Sequence, residues 1–254
     1  MAISKVAQGV VRRLAGGVVI AWLVMHSALA EQSAASSESL NDLGDPLRNV
    51  NQAVFRFNEL LDNTVAKPLA VGYQTALPNR LQWGISNFFS NIGELQNVLN
   101  DLLQGKFSQA GNDSGRFLIN STVGMAGFFD VAARMGLPES DGEDFGQTLA
   151  VWGVPQGPYL MMPLLGPSTL RDLPARLVDR TVGLSEHVDD VATRNTLLGL
   201  DVLETRARLL NAESAVSGDR YFFLKEVYLQ RREFLINDGV VEDDFGDFGE
   251  YDDY

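Results

Sequence analysis

No cysteine occurs in the 254 residues. That absence excludes disulfides, thiolate metal sites, a thiol nucleophile and a site for lipoprotein acylation. Histidine is nearly missing as well, present only as His26 and His187, so most hydrolytic and metal chemistry lacks its usual residues. Basic residues are scarce. With 20 Lys+Arg against 33 Asp+Glu, the chain repels phosphate backbones, and nucleic acid is not expected as a partner. Phosphate-binding glycine patterns of the P-loop and dinucleotide types are missing despite 24 glycines, as is a G-x-S-x-G elbow. No cofactor, no metal and no catalytic residue are expected. What remains, 45% hydrophobic and 21% charged, is the composition of a globular chain long enough to bury a core.

The first thirty residues read as an export signal. Lys5, Arg12 and Arg13 precede an uncharged run from Leu14 to Met25, and Ala28-Leu29-Ala30 supplies the small residues that a signal peptidase reads. The run is about a dozen residues, short of the roughly twenty that cross a bilayer as a helix, so a cleaved signal is preferred to a retained anchor. Cleavage after Ala30 removes those three basic residues and no acidic one, leaving a net charge of −16 and His187 as the one histidine. His187 stands in a Ser-Glu-His-Val-Asp-Asp run and reads as a solvated residue among acids. Residues 31–44 are Ser/Ala/Glu-rich and read as a disordered spacer.

A single domain is expected over 45–238, mostly helical, with no strand ladder and no repeat. Asp45-Pro46 fits an N-cap followed by proline at the first helical position, and Leu47, Val50, Val54, Phe57 and Leu61 form one apolar stripe. Lys67-Pro68 should end that helix, with a second short one over 69–77 between two prolines. The spacing of Leu81, Ile85, Phe88, Ile92, Leu95, Val98 and Leu102 predicts a long helix closed by Gly105. Residues 107–121 read as another. The uncharged stretch 117–129, with Gly124 and Gly127 around Met125, reads as a turn between two apolar helices. Residues 185–210 have helix-capable composition, and Asp219 fits the cap of a last helix carrying Tyr221, Leu224, Tyr228 and Leu235.

Residues 147–170 contain no charged side chain, yet four prolines and three glycines break any continuous helix. Broken backbone cannot face hydrocarbon unpaired. The stretch is therefore buried core, or lines a cavity, or lies at an interface with Trp152 and Tyr159 at headgroup depth. Asp141-Gly142-Glu143-Asp144 lacks the spacing of a calcium loop and reads as a polar turn. Residues 239–254 form an acidic tail with Phe245, Phe248, Tyr251 and Tyr254 at three-residue steps; it reads as disordered, either solubilising or a short motif for a basic surface.

Five strings occur in order: DPLRNVNQAVFRFNELLD at 45–62, SNFFSNIGELQNVLNDLLQGK at 86–106, RFLINSTVGMAGFFDVA at 116–132, DFGQTLAVWGVPQGPYLMMPLLGPSTLRD at 144–172 and LETRARLL at 203–210. Together they resemble the MlaA (VacJ) family, outer-membrane proteins of Gram-negative bacteria that maintain lipid asymmetry. The resemblance implies an all-α, ring-like bundle of mostly interfacial helices with broken Pro/Gly-rich segments. It implies an amphipathic channel that withdraws mislocalised phospholipid from the outer leaflet, without breaking a bond, and passes it to a soluble periplasmic carrier, the ring held beside a trimeric porin. Under it, 147–170 becomes part of the membrane-embedded ring and channel wall.

The resemblance places candidate channel or gate residues at Phe55, Phe57 and Asn58, at Phe117 and Asn120, and at Gly124, Met125 and Gly127, with core packing as the competing role for the first five. The turn 123–128 is either a mobile gate or a rigid, closely packed hairpin. Enteric members begin with an acylated cysteine, which this chain lacks, so an unlipidated protein held by its own apolar belt and protein partners is expected. The competing reading is a non-conducting envelope scaffold or adaptor working through the acidic tail. A periplasmic phospholipase is disfavoured by the single mature histidine.

Overall fold

The computed structural model describes residues 45–183, 188–215 and 218–240. The signal, the spacer, His187 and most of the acidic tail lie outside the described residues.

The chain is mostly helical. Helix α1, Arg48–Leu61, starts two residues later than the Asp45-Pro46 pattern suggests, with Leu47 at the N-cap. Asp45 is not the cap because its carboxylate is engaged elsewhere: it is buried, accepts from Tyr221 Oη at 2.6 Å and Asn51 Nδ2 at 3.1 Å, and lies 3.3 Å from Lys225 Nζ. Nor does α1 stop at Lys67-Pro68. A π-helical turn, Asp62–Ala66, carries the chain without a break into α2, Lys67–Ala76. The Lys67 N–H reaches back to Asp62 O, and this wider winding makes room for a proline ring that would clash in an α-helix. Helix α3, Asn79–Gln104, ends on Gly105 in the left-handed conformation, and the two-residue link to α4, Phe107–Thr122, folds the pair into a helical hairpin.

The stretch after α4 is not a turn between two long apolar helices. A run of turns over 123–128 leads to a single helical turn, α5, Val131–Arg134, capped by Asp130. Residues 147–170 also depart from the expectation of no strands. They form the end of α6, Phe145–Val151, then an antiparallel hairpin of β1, Tyr159–Met162, and β2, Gly166–Thr169, with Tyr159 opposite Thr169. The outer edge of β1 is closed by two asparagines seven residues apart, hence on one face of α1. Asn51 donates to Tyr159 O and accepts from the Met161 N–H; Asn58 donates to Met162 O and accepts from the Leu164 N–H. Helix α1 thus pairs backbone groups that the broken segment could not pair by itself. Helices α7, Asp172–Val182, α8, Val191–Leu209, and α9, Arg220–Ile236, complete the fold, α9 capped by Asp219 as its sequence suggests.

Burial runs against the usual order. Among the residues whose burial is described, no Leu, Ile, Val, Phe or Trp is buried, whereas Asn51, Asp101, Asp113, Arg116, Gln147, Asp172 and Arg232 are. Many large apolar side chains are instead exposed, Trp83, Phe107 and Leu164 among them. No helix of the described residues is long and apolar enough to cross a membrane.

Candidate functional site

Helices α3 and α4 meet along a polar seam. Arg116 Nε donates to Glu94 Oε1 at 2.7 Å with both side chains buried, and its NH1 donates to Leu137 O. Burial raises the Glu94 carboxyl above its ordinary range, against the pull of Arg116. One layer on, Asn120 donates to Asp130 Oδ1 and accepts from the N–H groups of Val131 and Ala132, so it caps α5 and pins the end of the turn. Asn91 donates to Ser121 Oγ at 2.9 Å. Its Oδ1 is buried without a partner.

Beside this seam lies a cavity of about 500 Å³, walled by α3, the end of α4, α7 and α8. Phe88, Phe89, Ile92 and Leu95 form one apolar side, Phe117, Leu197 and Leu198 the other; Asn91, Gln96, Ser121, Asp179, Arg180 and Asp201 supply polar points. Such a wall suits an amphiphile, with apolar surface for chains and a few groups that fix a head. A second cavity of similar volume, near residues 138–143 and 235–239, is lined mostly by polar residues such as Glu139, Asp141, Glu143 and Asp238 and offers no comparable apolar wall.

Of the sequence-derived candidates, Phe117 lines the first cavity. Asn120 lies behind it, buried. Gly124, Met125 and Gly127 form the adjoining turn, where Met125 and Ala126 hold positive φ of 54° and 58° and Ala126 reaches the cavity. Both glycines are explained by close approach: a Cβ on Gly124 would stand 2.3 Å from Phe129 O, and one on Gly127, at φ 92°, 2.5 Å from Asn91 Cβ. Phe55, Phe57 and Asn58 are not at this cavity. Phe55 packs edge-on against Tyr221 with ring centroids 5.7 Å apart, Phe57 is half-exposed, and Asn58 closes the hairpin edge. Trp152 is exposed and donates to Leu103 O. Tyr159 corrects the headgroup assignment given to it: it is buried in a cluster with Tyr221 and Tyr228, because strand alternation turns its ring inward toward α9. Phe88 and Ile92 were legible only as a helical stripe, and Asp179 and Asp201 carried no motif that would have singled them out.

The family model for the MlaA lipoprotein matches residues 43–235. The chain belongs to the MlaA family. The intermembrane phospholipid transport system lipoprotein MlaA of Escherichia coli (strain K12) is 33% identical over 228 residues, covering 87% of this chain and 89% of its own. Its namesake from Haemophilus influenzae is 28% identical over 224 residues, 85% of this chain and 89% of its own. A solved structure concerned with the structural basis for maintenance of bacterial outer membrane lipid asymmetry superposes with a TM-score of 0.68 at 33% identity, over 76% of this chain and 99% of the other. These MlaA relatives are named for transport, not for catalysis. They also correct the expectation of an unlipidated protein, because the family model and both relatives are lipoproteins by name.

Proposed function

We propose that this MlaA-family chain is a phospholipid transport component of the outer membrane. It takes up phospholipid mislocalised to the outer leaflet through the cavity between α3, α4, α7 and α8 and passes it to a soluble periplasmic carrier, next to a trimeric porin. The observation that carries this reading is the exposure of many large apolar side chains, with polar side chains buried beneath them, around a cavity of mixed lining. Apolar exposure on this scale marks contact with lipid or protein, and the polar seam gives the headgroup a path the acyl chains do not need. The names of the relatives support the same direction. In this reading Phe117 and the turn with Gly124, Met125 and Gly127 shape the cavity wall, Asn120 holds that turn, and Phe55, Phe57 and Asn58 act from the hairpin side. Trp152 sits at headgroup depth.

Gly93 provides the test. It lines the cavity, and a Cβ there meets nothing within 4 Å. Gly93→Trp should fill the space without disturbing the fold. In a strain lacking its own family member, the wild-type chain should lower the labelling of surface-exposed phosphatidylethanolamine, and Gly93→Trp at equal abundance should not. Full activity of the plugged variant would favour the scaffold reading, in which the cavity has no part.

A further inference from the structure

We infer that Asp201 is a headgroup-selecting residue, the seat for a primary ammonium, so that the cavity prefers aminophospholipid to phospholipid with an uncharged polar head. The inference rests on the transport reading above. Leu197, Leu198 and Asp201 share one face of α8 and enter the cavity wall together. Asp201 is half-buried there, and among the described residues no hydrogen bond or ion pair reaches its carboxylate, whereas Asp179, also in the cavity wall, is committed, accepting from the Phe145 N–H and from Asn100 Nδ2. Arg208, the basic residue that acts on Asp201 through space, is itself paired with Glu204. Desolvation accordingly raises the Asp201 carboxyl above its ordinary range.

A carboxylate that shares a cavity wall with Phe88, Phe117, Leu197 and Leu198, and has no partner among the described residues, is costly unless something cationic completes it. The completing group must bring apolar surface for the aromatic wall and a compact cation with N–H donors for the carboxylate. An ethanolamine-headed phospholipid has both. A glycerol-headed one carries a net negative charge and presents hydroxyls in place of the ammonium.

The test compares full-length protein in micelles with tail-labelled phosphatidylethanolamine and phosphatidylglycerol of identical chains. Asp201→Asn keeps the shape and removes the charge. It should weaken phosphatidylethanolamine about tenfold, the value of one charge-assisted contact, and leave phosphatidylglycerol unchanged or tighter. Asp201→Glu should retain the preference. Equal weakening of both lipids, or of neither, would overturn the assignment while leaving transport intact. Gly93→Trp should lose both lipids; if the wild-type chain itself binds neither, the transport reading fails and this inference with it. Soluble phosphoethanolamine, which has the ammonium without the chains, should compete poorly. Full competition by it would overturn the lipid assignment in favour of a small-amine site.

Discussion

Single side chains inside this fold carry opposite electrostatic costs, and two of them show it. Asp101 is fully buried in α3 with neither carboxylate oxygen hydrogen-bonded. Burial, then repulsion from Asp113 and Glu143, pushes its carboxyl up to about 7, Lys106 only partly opposing. The unfolded value is near 3.8, so the folded state binds the extra proton. The resulting stability is fully present below about pH 4 and is lost as pH rises through about 7. Asp101→Asn should therefore be more stable than wild type at pH 8, by about 1–3 kcal/mol, the usual cost of an unsatisfied buried group. The difference should shrink toward zero at pH 5. Urea unfolding in detergent at both pH values decides it, and an identical difference at each would show that Asp101 does not titrate. Arg232 is the converse case. Its guanidinium joins Asp144 and Asp172, tying α9 to α6 and α7. Arg232→Met should cost about 3–5 kcal/mol in the same urea unfolding, since Asp144 loses its cation and buried Asp172 is left with Arg171 alone.

At the scale of elements, the turn over 123–128 packs closely against α3. A Cβ on Gly84 would fall 2.1 Å from the Phe128 ring, and Asn87 donates to Phe128 O. Gly84→Ala should cost about 1–3 kcal/mol by overpacking. Phe128→Ala leaves a gap that the new methyl occupies, so the double variant should be clearly less destabilised than the sum of the two. Strict additivity would mean that the ring and the glycine do not meet. How far such elements were legible depended on their period. Helices with one apolar stripe, α3 and α4, were readable with nearly correct ends, as was the Asp219 cap, because periodicity and capping are local. The hairpin of β1 and β2 was not: its strands are four residues long, bordered by Pro and Gly, and uncharged on both faces. Its stability comes from Asn51 and Asn58, a hundred residues away in sequence. The break expected at Pro68 failed because a π turn absorbs the ring. Of the site, Phe117 was within reach through its apolar context, whereas Asp201 acquires meaning only when α8 is packed against α3.

For the whole molecule, the inverted arrangement makes a prediction that an ordinary water-soluble domain would contradict. In such a domain, replacing exposed residues is nearly silent and replacing buried apolar ones is not. Here the buried apolar residues are Ala, Tyr and Met, and many buried positions are polar side chains, some of which hold backbone together. Asn51→Leu leaves Tyr159 O and the Met161 N–H without their partner, and should destabilise by about 1–3 kcal/mol while leaving membrane partition unchanged. The exposed positions are apolar, and their free energy is realised only when lipid or a partner covers them. Trp83, Phe107 and Leu164 are 67%, 72% and 76% exposed. Changing all three to Gln should shift unfolding in detergent by no more than about 0.5 kcal/mol per site. It should reduce flotation with phosphatidylethanolamine/phosphatidylglycerol vesicles at least about tenfold, because burying even one such side chain is worth about 1.5–3 kcal/mol. If the triple variant floats as well as wild type, these side chains face water or protein, and the apolar exterior would not be the membrane-contacting surface.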